Sequence, residues 1–188
     1  MTGAWAPTKE QLAQAARKRV PDLVAPNLDV LFCGINPGLY SAAVGHHFAG
    51  PGNRFWITLH NAKFTPRRYS AFEEQHLLAL GYGITNLVAR ASATADELSV
   101  DELRAGGRRL RKLAQQYQPR YVAFLGLVAF RTAFKHPKAV AGLQAESIGS
   151  TQVWLLPNPS GLNAHHQDAA LVALFDEFRE VANVPRTT

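Results

Sequence analysis

The sequence predicts an α/β protein: one three-layer domain with a mainly parallel central sheet of four to five strands and helices on both faces. Three observations carry that expectation. The runs "LDVLFC", "GITNLV", "YVAFLG" and "STQVWLLP" are short and nearly continuously apolar, as strands buried on both faces are. Segments of helical spacing separate them, the arrangement that builds a layered α/β domain. At 188 residues, 47% apolar and 18% charged, the chain has the length and composition of one packed domain.

The elements follow in order. Residues 1–27 read as an N-terminal helical extension, in which Thr8 and Gln11 form a capping box. Two prolines in "PDLVAPNLD" stop that helix before the first strand, about 28–33, and the main domain is expected to span 28–184. Residues 34–56 carry five glycines and two prolines and read as a long irregular stretch, a kind of segment that is usually functional in a compact domain. "RFWITLHNAKF" (54–64) and "SAFEEQHLLALG" (70–81) read as helices, with Gly81 as the C-cap of the second. "GITNLV" (83–88) is a short apolar run, followed by the polar loop "ARASATADEL".

Ser99 and Glu102 make a second capping box, opening the helix "VDELRAGGRRLRKLAQQY". Pro119 separates it from the strand at 121–126; "LVAFRTAF" is helical, and 150–157 is the last strand. In "DAALVALFDEFREVANV", Leu171, Leu174, Phe175, Phe178 and Val181 keep the helical period.

Composition narrows the function classes. No apolar run reaches a membrane span, and the N-terminus lacks the layout of a secretory signal. The lone Cys33 excludes an internal disulfide, and a reducing cytoplasm is the expected compartment. A net charge of +6 with only 14 acidic residues favours a polyanionic partner such as nucleic acid. A basic enzyme with no nucleic-acid role is the alternative that charge alone leaves open.

Chemistry concentrates in two turns that look alike. "LFCGINPG" (31–38) and "WLLPNPSG" (154–161) each end an apolar strand in Asn-Pro, at Asn36 and Asn158, with no carboxylate, cysteine or histidine in the turn itself. Either turn alone is explained by propensity, because Asn bonds its own backbone and Pro fixes φ. Two of them at the carboxyl ends of parallel strands fall where α/β sheets place their sites. An amide can accept from a water and donate to a carbonyl, but it is not a base. A site built on it must serve a reaction already leaning toward bond breaking.

Other residues admit two readings. Phe48, in "GHHFAG", either plugs the core or offers a stacking platform for a base. Phe55 and Trp56 are expected to be buried where the glycine-rich loop closes. His46-His47 and His165-His166 suggest a metal, but adjacent histidines do not share a strand face and no matching ligand spacing accompanies them; they read as surface histidines, and Cys33 as a small core residue. Leu162 stands on a polar loop, where an apolar side chain is either unremarkable or a wedge for a base stack. "RAGGRRLRK" (104–112) has five basic residues in nine; most read as a solvated helix face, and its glycine pair signals a close backbone approach.

Taken in order and at their separations, "CGINPG", "FAGPGNRFW", "GITNLV", "GGRRL" and "LPNPSGL" resemble the mismatch-specific uracil/thymine-DNA glycosylases of the uracil-DNA glycosylase superfamily, over about residues 28–182. The resemblance implies a monofunctional enzyme needing neither metal nor cofactor, a monomer acting on double-stranded DNA in the cytoplasm, associated with the nucleoid through that DNA, and having no membrane partner. It would flip uracil from a U·G mismatch and hydrolyse its N-glycosidic bond, leaving an abasic site.

By the same resemblance Asn36 positions the attacking water, and Phe48 stacks on the flipped base. The Gly34–Ile35 backbone meets the base edge, Ser41 lies near the pyrimidine 5-position, and Asn86 forms further pocket wall. Asn158 borders the leaving base, while Gly161, Leu162 and Asn163 fill the vacated gap in the duplex. The segment 90–97 borders the expected pocket, yet Asp96 is its first acid. Without a general base, turnover is expected to be slow. Two other readings stay in view: a non-catalytic binder of mismatched or abasic DNA with the same fold, and a small-molecule hydrolase acting on nucleosides.

Overall fold

A computed structural model describes residues 6–161, 168–185 and 187. The five-stranded sheet is built from β1 (Val30–Gly34), β2 (Tyr82–Asn86), β3 (Tyr121–Leu125), β4 (Gly142–Ile148) and β5 (Thr151–Leu156), in the spatial order β2-β1-β3-β5-β4. The first four in that order run parallel, and β4 is an antiparallel edge. Helices among the described residues are α1 (Lys9–Gln14), α2 (Leu39–Val44), α3 (Phe55–Asn61), α4 (His76–Ala79), α5 (Val100–Tyr117), α6 (Leu127–Phe134) and α7 (Asp168–Val181).

The period of two in β1 creates the three layers. Val30 and Phe32 point to one face, where they pack with Phe55 and Leu59 of α3 and with Leu171, Phe175 and Phe178 of α7. Leu31 and Cys33 point to the other, against Leu110 and Ala114 of α5 and Ala129, Phe130 and Phe134 of α6. Phe32 is fully buried, with Phe55, Phe64 and Tyr82 edge-on at 5.4, 5.6 and 6.2 Å between ring centroids. One such ring withdrawn from water contributes about 1.5–3 kcal/mol, and its aromatic pairs add about 0.5–1.5 kcal/mol each.

Both capping boxes form, at Thr8–Gln11 and Ser99–Glu102. The glycine pair in α5 also has the close approach its position suggests. A Cβ on Gly106 would sit 2.5 Å from the Leu87 carbonyl oxygen, and one on Gly107 would sit 3.1 Å from that of Ala133. The helix therefore lies directly on the end of β2 and on α6.

Three expectations are corrected. The stretch 34–56 contains the short helix α2, ended by Gly45 in the left-handed region at φ 79°. Residues 70–81 form not one helix but a 3-10 turn, Ala71–Glu73, followed by α4; the carboxylate of Glu74 is drawn inward at this break, bonding His46 and the His47 backbone. Strand β4 was not expected at all. It pairs with β5 through the two-residue turn Gly149–Ser150, Gly149 having φ 62°, a geometry that favours tight hairpins.

Chain order places the site. From β1 the chain moves outward to β2 and then crosses back to β3 on the opposite side of β1. At such a reversal the loops leaving the carboxyl ends diverge and open a crevice. Gly34 and Asn86 end β1 and β2 in register, and the turn after β5 faces the same crevice.

Candidate active site

A cavity of about 480 Å³ opens there. Ile35, Asn36, Ser41, Phe48, Asn86, Asn158 and Gly161 all line it, so residues separated by up to 126 positions in the chain share one wall. Gly34 lies just beneath: a Cβ there would be 2.7 Å from Asn86 Oδ1 and 3.1 Å from the Phe48 ring. Only glycine lets that amide and that ring approach the strand end. Leu162 and Asn163 lie outside the described residues.

Asn36 is held by its nitrogen. Nδ2 donates to Ser92 Oγ at 2.7 Å and to the Arg90 carbonyl at 3.2 Å, and stands 3.3 Å from the Pro37 carbonyl. Ser92 in turn donates to the Thr94 carbonyl at 2.6 Å, and its backbone N–H reaches the Pro37 carbonyl at 3.2 Å. The donors of the amide are thus consumed by the 90–94 segment, and Oδ1 is the acceptor left to receive a hydrogen bond from a water. An aspartate would instead set an oxygen against the Arg90 carbonyl, which repels it. The segment itself is anchored by the Arg90–Glu102 ion pair to the start of α5; this pair holds the Glu102 carboxyl down at about 2.

Phe48, which also lines the cavity, is in the left-handed region, φ 53°, where a bulky side chain is strained. Three contacts keep it there. Its ring is stacked on Phe55 with centroids 4.1 Å apart, the Ala49 N–H donates to Ser41 Oγ at 3.0 Å, and the His47 N–H donates to Glu74 Oε2 at 2.9 Å. Ser41 therefore braces the Phe48 loop as well as lining the cavity.

His47 corrects the surface-histidine expectation, for it is buried. Its Nε2 lies 2.9 Å from the Pro21 carbonyl, which can only accept, so Nε2 carries the proton. Nδ1 is then an acceptor for Asn86 Nδ2 at 3.2 Å, fixing which way the Asn86 amide faces. Burial pushes the His47 pKa down, opposed by the Glu74 charge, so the ring is neutral at pH 7. The floor under Asn86 is also set by Arg109, which donates to the Asn86 carbonyl at 2.8 Å and pairs with Asp22. This arginine of the basic run is a bolt for β2 rather than part of a solvated face.

Asn158 is held differently. Its Oδ1 accepts from the Ser160 N–H at 3.0 Å, a local turn bond. The turn is clasped to the glycine-rich loop, with Arg54 N–H donating to the Pro159 carbonyl at 2.9 Å and a Cβ on Gly161 colliding with the Gly52 carbonyl oxygen at 2.6 Å. Phe55 and Trp56 are buried beneath this clasp.

Sequence reasoning missed Ser92, His47 and Tyr40 as cavity residues. "GHHFAG" held a usable signal, since a histidine beside glycines and an aromatic suits a pocket wall. Ser92 lies in the segment 90–97 that the sequence placed at the pocket border, but its bond to Asn36 carried no signal, because that partner is 56 residues away. Among the described residues no carboxylate lines the cavity, and no three His, Cys, Asp or Glu side chains stand together to hold a metal. No helix among the described residues is long and apolar enough to cross a membrane.

The parallel sheet thus opens, at its reversal, into a crevice lined by a fixed amide and a backed aromatic ring. The family model of the uracil DNA glycosylase superfamily matches residues 21–183. The chain belongs to that superfamily, whose members are DNA glycosylases, hydrolases that act on DNA.

Proposed function

We propose that this glycosylase removes uracil from G·U mismatches in double-stranded DNA, as a monofunctional enzyme working without metal or cofactor. The observation that carries the reading is the pairing, in one cavity, of the Asn36 amide oxygen with the Phe48 ring. The extrahelical uracil stacks on Phe48, with Asn86 and the Gly34–Ile35 peptide at its edge and Ser41 near its 5-position. Asn158 borders the leaving base, and the segment from Gly161 through Leu162 and Asn163 takes the gap in the duplex.

The chemistry needs little from the protein beyond position. The C1′–N1 bond breaks, uracil departs with the electron pair, and water oxygen bonds to C1′ as its proton is lost to solvent. Asn36 accepts from that water and aims it but cannot take the proton. Fixed dipoles of this kind are typically worth about 2.7–4 kcal/mol each. General-base help of roughly 10²–10⁴-fold has no carboxylate in the described cavity to supply it, and both ring nitrogens of His47 are engaged, by the Pro21 carbonyl and the Asn86 amide, so turnover is slow.

A base-release panel tests the proposal. Free uracil is expected from U·G duplex, faster than from U·A, unaffected by chelator, with one abasic site per uracil. Tight binding of U·G duplex with no base released on long incubation would establish the non-catalytic binder instead. Release from free deoxyuridine without salt-sensitive DNA affinity would establish the nucleoside hydrolase.

A further inference from the structure

We propose that the concave surface between α5 and α6 is a second nucleic-acid contact, which holds backbone phosphates of the DNA outside the base-flipping cavity. A recess of about 240 Å³ there is lined by Arg104, Arg108, Arg111 and Lys135, with Gly107 and Phe134 at its floor. The three arginines are spaced i, i+4 and i+7, which brings them to one helix face. Like charges so placed repel one another by a few tenths of a kcal/mol per pair. The arrangement is therefore not one that stability favours.

Arg111 is fixed, paired with Glu146 and lying 5.0 Å over the Phe134 ring. Arg104, Arg108 and Lys135 are exposed and make no salt bridge with a described residue. The carboxyl end of α6 attracts cations, and Lys135 caps that end; this accounts for one charge, but not for three arginines brought from another helix. The recess is concave because Gly107 lets α5 touch the α6 backbone at Ala133, so the flanking side chains splay around the contact.

Its position indicates the polyanion. A cleft of about 630 Å³ shares Ile35, Thr94 and Asn158 with the catalytic cavity and reaches Leu103 and Arg131 on the same two helices. The cleft that adjoins the site and the recess are thus built on the same two helices, with Leu103 and Arg104 adjacent in the chain. From Leu103 to Arg111 the helix advances about 12 Å, whereas successive phosphates of a strand advance about 3.4 Å. The contact falls several nucleotides from the flipped base. That placement rests on the glycosylase reading.

The test compares the full chain with a triple variant, Arg104→Gln, Arg108→Gln, Lys135→Gln, binding undamaged duplexes of 12 and 30 base pairs across a salt titration. The slope of log affinity against log salt is expected to shrink by about 2–3 for the long duplex, with little change for the short one. Arg104→Lys with Arg108→Lys should keep the wild-type slope, and single-turnover uracil release and the thermal midpoint should match wild type in both variants. An unchanged slope on the long duplex, or an equal loss on the short one, overturns the proposal. So does calorimetric binding of inorganic phosphate that the triple variant loses while its DNA slope stays the same. If the wild type releases no base yet the slope shrinks, the recess stands and the glycosylase reading falls.

Discussion

The two Asn-Pro turns look interchangeable in sequence and are held in opposite ways. Asn36 is gripped through its nitrogen by a segment more than 50 residues away, by Ser92 Oγ and the Arg90 carbonyl. Asn158 spends its oxygen two residues along its own chain, on the Ser160 N–H. The first side chain is oriented by bonds across the fold and presents an acceptor; the second has its oxygen engaged within its own turn. Propensity accounts for the Asn158–Ser160 bond and hardly at all for those of Asn36. A motif seen twice therefore holds its two asparagines through different atoms, one by its nitrogen and one by its oxygen.

The sharpest way to break that comparison is at Asn36. Asn36→Ala should lower single-turnover uracil release by roughly 10²–10³-fold, as loss of a fixed catalytic dipole does. Asn158→Ala should cost activity much less and lower stability by about 1 kcal/mol for the lost turn bond. Equal losses in the two variants would erase the distinction, and full activity in Asn36→Ala would remove its assigned role.

Gly34→Ala probes the strand end from which the first turn departs. Its Cβ would meet Asn86 Oδ1 and the Phe48 ring, so a destabilisation of about 1–3 kcal/mol is expected, together with a raised KM for U·G duplex. An unchanged melting temperature and KM would mean that the cavity is looser than its geometry indicates.

Acid probes a further amide of the cavity, Asn86, through His47. The His47 pKa is depressed by burial, so below its unfolded value of about 6.5 the unfolded chain takes up a proton that the folded chain refuses. Its contribution is complete above about pH 6.5 and is lost as pH falls toward the depressed folded value, by at most about 1.4 kcal/mol per pH unit. Glu73 and Glu102, both held at about 2 by arginine partners, act only below their ordinary 4.5, so the two windows separate. Chemical denaturation between pH 7 and 5 should show this slope, and His47→Gln should remove it.

The smallest effect sharpens the comparison most. Ser92→Ala keeps Asn36 but loosens its amide, so a loss of about 1 kcal/mol, roughly fivefold in kcat with KM unchanged, is expected. A change in KM alone would make Ser92 a wall residue rather than a positioning one.

Much of the fold was legible because its signals are local. The capping boxes at Thr8 and Ser99 read correctly, as did the apolar strands and the period of α7, since each depends on residues within a few positions. Strand β4 was not read. As an edge strand exposed on alternate residues, "GLQAESI" lacks a buried run, and its pairing with β5 supplies the order its composition does not.

In the site, the sequence by itself determined that Asn36, Phe48, Asn86 and Asn158 stand on turns and strand ends, because glycine, proline and short apolar runs dictate those. Only tertiary structure decided that they face one cavity, that His47 is buried and neutral and sets the Asn86 amide, and that Ser92 and Arg90 grip Asn36. Those facts depend on hydrogen bonds between groups 39 to 56 residues apart, and no local preference along the chain encodes a partner at that distance.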